Sequence, residues 1–338
     1  MDGAPEPRPG ASAPGPLPDV TLEGIRTAAR RIAPYVLRTP ILPAADLGEP
    51  PGCELHLKAE HLQRGGSFKV RGAHAAVLAL PEAEVARGVA THSSGNHGAA
   101  VALAARSRAV PAFVVMPENA ARTKLEAVAT AGAEIVLCEP PLAAREATLE
   151  AVLRRTGARL VHPYADLDVI RGQGTAVLEV LEQMEGQPPD AIVVPVGGGG
   201  LLAGAAVAAK SLLPACRVFG ADPAGADDAA RSFHRGRLLP QESPRTLADG
   251  LLTSLGEPNF AIIRALADDV LTVSEEGIRE AMRRLLLRAK QLVEPSAAVT
   301  LAALLEHPEL FRGRRTVLVL SGGNLDLDRF PFAEAAAG

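Results

Sequence analysis

The chain has 338 residues, a formal net charge of -4, 47% hydrophobic residues and only 3% aromatic residues. The negative balance argues against nucleic acid as the main partner, because phosphate binding requires a basic face. Cys53, Cys138 and Cys216 form no CxxC pair, which indicates thiols in a reducing compartment and argues against disulfides or a zinc site. We therefore expect a cytoplasmic protein whose core is built from Ala, Val, Leu and Ile.

The N-terminal part of the chain predicts a tail followed by three elements. Residues 1–17 are dominated by Pro, Ala and Gly and lack an apolar stretch, which indicates a disordered tail and not a signal peptide. Thr21 is a suitable cap for a helix that runs to Ile32. Residues 54–58 alternate like a half-buried strand, and an Ala-rich helix is expected to end near Leu80.

From Gly88 onward, short apolar strands alternate with polar or glycine turns and Ala-rich helices. This alternation predicts an α/β fold with largely parallel sheets. The expected strands are 88–92, 112–116, 134–137, 159–162, 191–196, 217–221, 270–273 and 316–320. Residues 120–131 and 168–185 have helix-forming composition. Residues 197–213 begin with glycines and carry Lys210, so they predict a buried helix and not a membrane span.

A lysine in a glycine-rich, apolar setting is the first candidate for chemistry. Residues 65–72 read Gly-Gly-Ser-Phe-Lys-Val-Arg-Gly and place Lys69 beside Phe68. Burial disfavours the ammonium form, so such an amine becomes a usable nucleophile at neutral pH, as a Schiff-base lysine requires. The alternative, a solvated surface charge, is the commoner state of a lysine.

Three loops follow expected strands, at the edge where parallel sheets place functional residues. Residues 91–98, Thr-His-Ser-Ser-Gly-Asn-His-Gly, present N–H groups and hydroxyls that suit a carboxylate, or they form an ordinary capped turn. Residues 197–200 are consecutive glycines whose N–H groups suit a phosphate, with tight strand–helix packing as the alternative. Residues 319–324 offer one hydroxyl, Ser321, in what is otherwise a glycine turn.

A phosphate site, a desolvated lysine and a serine hydroxyl are together what pyridoxal 5'-phosphate needs. The motifs SFKxRG, THSSGNHG, four glycines after VVPV, and LSGGN occur in this order. Further matches are His162-Pro163, Gly172-Gln173-Gly174-Thr175, Ala248-Asp249-Gly250 and Glu294-Pro295-Ser296. With these motifs the chain resembles the fold-type II pyridoxal-phosphate enzymes over residues 20–328, and most of all their serine racemase and serine/threonine dehydratase group.

The resemblance implies a tryptophan synthase β-like fold of two domains, with twisted, mostly parallel sheets flanked by helices. The large, cofactor-binding domain would comprise residues 18–81 and 166–338, and residues 82–165 would form a contiguous small domain. The resemblance also implies a homodimer. We expect no allosteric amino-acid-binding domain of the threonine-dehydratase type after Asn324.

The resemblance assigns roles around the cofactor. Lys69 would bind its aldehyde and then act as a base at the substrate Cα, with Phe68 beside the ring and Asn96 bonded to the 3'-oxygen. The phosphate would be bound by Gly197, Gly198, Gly199 and Gly200. Ser321 would meet the pyridine nitrogen. Because a hydroxyl does not hold a proton on that nitrogen as a carboxylate would, prompt loss of a β-substituent is favoured over transamination.

Ser94 distinguishes two reactions within this resemblance. In the racemases the matching serine exchanges a proton on the cofactor face opposite the lysine, so Lys69 and Ser94 together would permit racemisation. Many dehydratases carry Ala at this position, and some carry Ser. The residues expected to contact the substrate are Ser93, Ser94, Asn96, His97, Arg145 and Thr253.

Asp222 and Asp228 flank a short loop that suits a hard cation. Two carboxylates, a backbone carbonyl and waters fit Mg²⁺ or Ca²⁺, although from the residues alone solvated acidic side chains are the simpler interpretation. The resemblance places a divalent cation on Asp222, the carbonyl of Ala226, and Asp228. The racemases usually have Glu as the first ligand, and Asp is shorter.

The predicted function is that of a pyridoxal-phosphate-dependent ammonia-lyase, which converts L-threonine or L-serine to the 2-oxo acid and ammonia. Serine racemisation and dehydration of threo-3-hydroxyaspartate are the main alternatives. β-Replacement of the cysteine-synthase type is disfavoured because its loop is expected to read Thr-Ser-Gly-Asn-Thr, and a catalytically inactive cofactor-binding protein is the last alternative. We expect a small amino acid as the partner, and neither nucleic acid nor a membrane.

Overall fold

The computed structural model describes residues 17–93, 95–326 and 332. Within them the strands are β1 Ile41–Ala44, β2 Glu54–Lys58, β3 Val89–His92, β4 Ala112–Pro117, β5 Glu134–Cys138, β6 Arg159–Leu160, β7 Ala191–Pro195, β8 Arg217–Pro223, β9 Asp269–Val273 and β10 Arg315–Val319. The helices are α1 Leu22–Ile32, α2 Lys69–Ala79, α3 Glu82–Val85, α4 Asn96–Ser107, α5 Arg122–Thr130, α6 Leu142–Thr156, α7 Leu167–Gln183, α8 Gly200–Leu212, α9 Asp228–Arg235, α10 Glu257–Leu266, α11 Glu275–Leu287 and α12 Pro295–Glu306. The predicted tail lies outside the described residues up to residue 16.

The strands form two sheets. One has six strands in the order β1-β2-β10-β7-β8-β9, and the other has four in the order β5-β4-β3-β6. Neighbours run parallel, apart from the antiparallel pair of β1 and β2 at one edge. The predicted α/β class with largely parallel sheets is thus confirmed. The division into a domain of residues 18–81 and 166–338 and a domain of residues 82–165 stays a prediction, which the grouping of β3 to β6 supports.

The six-stranded sheet is buried on both faces. Along β7, Ile192 and Val194 pack into one apolar cluster and Ala191 and Val193 into another, because successive side chains of a strand point to opposite faces. Helix α8 covers the first face and helix α12 the second. This double burial explains why β7 reads as a continuous apolar run without polar alternation.

Three strands differ from the sequence expectation by more than one residue, and one of them, β8, ends at Pro223 and not at residue 221. Strand β1 was not predicted, because it contains Pro43, which lacks a backbone donor. The proline is tolerated because β1 lies at the edge of the sheet, where that donor is not needed for strand pairing. Strand β6 ends at Leu160, two residues earlier than predicted. Its chain turns there because His162 Nδ1 accepts hydrogen bonds from the backbone N of Tyr164 (3.3 Å) and of Ala165 (3.0 Å).

The expected helices are present, with ends within about two residues of the prediction. Helix α1 begins at the predicted cap, where Thr21 Oγ1 accepts a hydrogen bond from Gly24 N (3.1 Å). Helix α8, the apolar segment after the glycines, is buried as predicted. No helix in the described part of the chain has the length and apolarity needed to span a bilayer.

Candidate active site

A cavity of about 340 Å³ lies where the chain leaves the carboxyl ends of β3, β7 and β10. It brings together predicted site residues from six segments of the chain, namely Phe68, Lys69, Ser93, Asn96, His97, Arg145, Gly197, Gly198, Gly199, Gly200, Thr253 and Ser321. Ser94 lies outside the described residues. Asp222, Ala226 and Asp228 are not part of the cavity wall.

Lys69 is the first residue of α2, and its partly buried side chain lies at the cavity wall. The Nζ atom donates to the carbonyl of Pro163 (3.2 Å) and lies 5.1 Å from the centroid of the Phe68 ring. Burial lowers the pKa of Lys69 to about 8, against the opposing effect of the Glu294 carboxyl. A useful fraction of neutral amine is therefore present near neutral pH, as a nucleophile or base requires.

The glycine loop joins β7 to the start of α8. Gly199 caps the helix with φ of +89°, a left-handed conformation that favours glycine. A Cβ atom at Gly198 would lie 2.3 Å from the ring of Tyr164, and one at Gly199 would lie 2.5 Å from Leu255. The helical bond from Ala203 N to the Gly199 carbonyl (2.8 Å) leaves the N–H groups before it for another acceptor, so this loop fits a phosphate.

The end of β10 is attached to the lysine segment. Phe68 N donates to the carbonyl of Ser321 (3.0 Å), and Ser67 and Gly322 form an isolated β-bridge. Ser321 itself is buried and lines the cavity. The backbone of Ser321 is therefore bonded directly to the segment that carries Lys69.

Asn96, the first residue of α4, belongs to a polar network that runs from the buried Glu294 to the exposed Asn324. Its Nδ2 donates to both carboxyl oxygens of Glu294 (2.9 and 3.1 Å), and its Oδ1 accepts from Asn324 Nδ2 (2.9 Å). Asn324 Nδ2 also donates to the carbonyl of Gly65 (2.8 Å). Burial raises the pKa of Glu294 to about 7, although the hydrogen bond from Asn96 and the Lys69 charge act in the opposite direction.

The raised pKa of Glu294 predicts a pH-dependent stability. Between its ordinary value of 4.5 and about 7, the folded protein keeps a proton that the unfolded chain releases, so the free energy of unfolding falls as pH rises. The expected loss is roughly 3 kcal/mol across this window, at about 1.4 kcal/mol per pKa unit. Urea unfolding at pH 5 and pH 7.5 should show a smaller loss in Glu294→Gln, and equal losses in both proteins would contradict the assignment.

His97, which lines the cavity, and His162, which directly precedes the cavity residue Pro163, are held neutral. Burial lowers the pKa of His162 to about 4, and that of His97 lies well below its usual range for the same reason. Arg145, in α6, lines the cavity, and its Nε is buried without a hydrogen-bond partner among the described residues. Lys124 also reaches the cavity but forms an ion pair with Asp249. Arg145 is therefore a cationic side chain with unused donor capacity at this site.

The three residues of the predicted cation site lie near the end of β8. Asp222 Oδ2 accepts from Ala230 N (3.0 Å), while Oδ1 is buried and has no partner within the described residues. Asp228 accepts from Gln241 Nε2 (3.1 Å) and Leu255 N (2.7 Å). Burial raises the pKa of both carboxyls, that of Asp228 to about 6. The described residues contain no cluster of three or more His, Cys, Asp or Glu side chains that could hold a metal.

Several residues that build the site had no predicted role. Glu294 and Tyr164 line the cavity, and Lys124 with Asp249 closes one side of it. Glu294 and Asp249 lie in motifs that support the resemblance, so the motifs were the available signal for them. Tyr164 follows the predicted His-Pro match directly, and nothing in its own pattern indicated a function.

The site has three parts that suit an aldehyde cofactor with a phosphate group, namely the Lys69 amine of lowered pKa, the glycine loop at a helix N-terminus and the serine at the end of β10. Together with the fold, they define an enzyme that binds such a cofactor. The model of the family described as pyridoxal-phosphate dependent enzyme matches residues 32–322. The chain belongs to that family, and the predicted family and fold class are confirmed.

Known proteins resemble the chain over almost its full length. A serine racemase of Dictyostelium discoideum is 44% identical over 318 residues, which cover 92% of this chain and 97% of that protein. A beta-hydroxyaspartate dehydratase of Paracoccus denitrificans is 42% identical over 312 residues, with coverage of 92% and 98%. The solved structure of a maize serine racemase superposes with a TM-score of 0.89 at 42% identity and covers 92% of this chain and 95% of that one.

Proposed function

We propose that this enzyme is an ammonia-lyase that converts a β-hydroxy amino acid, L-serine or L-threonine, to the 2-oxo acid and ammonia. When bound, pyridoxal 5'-phosphate supplies an aldehyde for the amino group and an electron-withdrawing ring that makes the Cα proton removable. The observation that carries the proposal is the Lys69 amine, whose pKa is about 8, in one cavity with the glycine loop and Ser321.

Each wall of the cavity has a proposed task. Lys69 would hold the aldehyde carbon and then move the proton at Cα, with Phe68 beside the ring. The N–H groups at the start of α8 would bind the phosphate, Ser321 would meet the ring nitrogen and Asn96 the 3'-oxygen. The loop of Ser93, Asn96 and His97 would bind the substrate carboxylate, with Thr253 on the substrate side. The buried Ser321 at the cavity wall supports its role, whereas Asn96 Nδ2 donates to both Glu294 oxygens and would have to release one of them to reach the 3'-oxygen.

Serine racemisation is the second candidate, and the identity of 44% to a serine racemase favours it. It requires a proton-exchanging group opposite Lys69, for which Ser94 is the proposed residue. Ser94→Ala should then abolish D-serine formation and leave 2-oxo acid formation measurable.

The substrate is tested by incubating the purified, cofactor-loaded protein with L-serine, L-threonine and threo-3-hydroxyaspartate. The 2-oxo acid and the D-enantiomer are measured in parallel, with and without Mg²⁺. We expect 2-oxo acid and ammonia in equal amounts. A loaded protein that forms neither product from any of the three would contradict the proposal, and cysteine formed from sulfide and an activated serine would indicate β-replacement instead.

Arg145 gives a reason to include 3-hydroxyaspartate, because its unpartnered Nε could bind a second carboxylate. A hydrogen bond to a charged group is worth about 1.5–3 kcal/mol, so Arg145→Met should lower kcat/KM for hydroxyaspartate by about 10-fold or more. The value for L-serine should change less than about 3-fold, since serine has no β-carboxylate. Equal losses of kcat/KM for both substrates would show that Arg145 does not bind the β-carboxylate.

A divalent cation at Asp222, the Ala226 carbonyl and Asp228 is also proposed. The unpartnered Asp222 Oδ1 and the raised pKa values of both carboxyls support this site. A cation would use the unpartnered oxygen as a ligand and would offset the cost of burying two carboxylates. A ligand that binds the folded state raises Tm. Mg²⁺ or Ca²⁺ should therefore raise the Tm of the wild type but not that of Asp222→Asn. Glu276→Gln, which alters an exposed acid, is the control and should respond like the wild type. An equal response in Asp222→Asn would exclude the site.

We further propose a cytoplasmic homodimer. The cysteines of the described chain are unpaired, which suits a reducing compartment, and the dimer is what the resemblance to the serine racemase and dehydratase group implies. Sedimentation of the purified protein would show a single 35.0 kDa chain if the dimer is absent.

A further inference from the structure

The carbonyl of Gly198, inside the glycine loop, is held by the first turn of a neighbouring helix. Asn259, in α10, donates from Nδ2 to this carbonyl (2.5 Å) and to the carbonyl of Tyr164 (2.9 Å). Gly256 N, directly before α10, donates to the same Gly198 oxygen (3.1 Å). Two donors, Asn259 Nδ2 and Gly256 N, thus bind the Gly198 carbonyl on the side of the loop that faces α10.

The orientation of the Asn259 amide follows from its partners. Both are carbonyl oxygens, so only the NH₂ side of the amide can face them. Its Oδ1 is buried and has no hydrogen-bond partner among the described residues, and the side chain is fully buried. Leaving a buried acceptor unpaired is unfavourable. The two N–H donors are therefore what the Asn259 side chain contributes at this position.

The bond to Gly198 determines where the next N–H points. In a planar trans peptide the C=O of one residue and the N–H of the following residue point in opposite directions. Asn259 is not part of the cavity wall, whereas Gly198 and Gly199 are. Because the Gly198 carbonyl is directed toward α10, the Gly199 N–H is directed to the cavity side of the loop.

A glycine pair needs such a restraint. Glycine populates left- and right-handed backbone regions almost equally, so the peptide between Gly198 and Gly199 can rotate at low steric cost. Rotation would turn the carbonyl oxygen, a partial negative charge, toward the place where the phosphate is expected. On the basis of the proposed cofactor function, we infer that Asn259 is a positioning residue that keeps the loop in its anion-binding orientation.

The inference is tested by comparing pyridoxal 5'-phosphate with pyridoxal, which has the aldehyde but no phosphate. Cofactor is removed from the full-length protein, and the dissociation constants of both compounds are measured for the wild type and for Asn259→Asp. This variant keeps the shape and replaces the donors with oxygens that repel both carbonyls. We expect the constant for pyridoxal 5'-phosphate to rise at least 10-fold and that for pyridoxal to stay within 2-fold. The ³¹P resonance of the bound phosphate should also shift.

Two further variants separate positioning from packing. Asn259→Leu removes the donors without adding charge and should show the same selective loss, which keeps the test open if Asn259→Asp does not fold. Ile262→Val, a buried change in the same helix, should leave the ratio of the two constants unchanged. An equal weakening of both compounds, or none, in the Asn259 variants would overturn the inference. A wild type that binds neither compound would refute the proposed function instead.

Discussion

Replacement of Lys69 by alanine is expected to abolish the visible absorbance of the bound cofactor and to lower kcat by roughly 10³-fold or more. The amine has no substitute in the described structure. Lys124, the other lysine at the cavity, forms an ion pair with Asp249. The nearby His97 and His162 are held neutral by burial. Absorbance spectra and 2-oxo acid formation after addition of pyridoxal 5'-phosphate measure the two effects.

Lys124→Met is the matched control for this experiment. It removes an amine from the same cavity and should retain the absorbance, because Lys124 lies on α5 and not at the start of α2. Absorbance that is unchanged in Lys69→Ala would refute the lysine assignment. Absorbance that is lost in both variants would point to a general loss of the site.

The parts of the site that could be predicted are those whose chemistry is local. Lys69, Asn96, the glycines and Ser321 each lie in a short loop at the end of a strand or the start of a helix. Parallel strands bring the loops after β7 and β10 to one edge of the six-stranded sheet, whereas Asn96 follows β3 of the other sheet and was placed beside them by the family resemblance.

Glu294 and Asn259 could not be found in this way. The carboxyl of Glu294 meets Asn96, 198 positions away along the chain, and the amide of Asn259 meets Gly198 at a separation of 61. In the sequence Glu294 is only an acid before the proline that begins α12, and Asn259 is a polar residue in the first turn of an apolar helix. Their functions depend on tertiary packing, which short-range patterns do not contain.

The same limit applies to Arg71, which was part of a recognised motif but had no predicted role. Its guanidinium is fully buried and binds the carboxyl of Glu60 through two bonds (2.7 and 2.8 Å). It binds Glu179 through two more (both 2.8 Å). Lys58 Nζ donates to Glu179 as well (2.7 Å). Two cations and two carboxylates therefore balance in the core beside α2, the helix that begins with Lys69.

Arg71→Met is expected to lower the free energy of unfolding by about 3–5 kcal/mol, because removing one partner of a buried ion pair leaves an uncompensated charge. Urea unfolding of the cofactor-loaded protein measures the loss. Arg122→Met is the control, since Arg122 pairs with Glu126 on the surface and such pairs contribute less than about 1 kcal/mol. Comparable losses in the two variants would contradict a special role for the buried network.

A double variant shows whether charge or packing causes the loss. Arg71→Met leaves one cation, Lys58, against two carboxylates, and the added change Glu60→Gln restores the balance. If the unpaired charge is the cause, the double variant should be more stable than Arg71→Met alone, because neutral partners of similar shape avoid the penalty of a buried ion. If the double variant is equally unstable, the lost hydrogen bonds and packing hold α2 in place, and the charges do not.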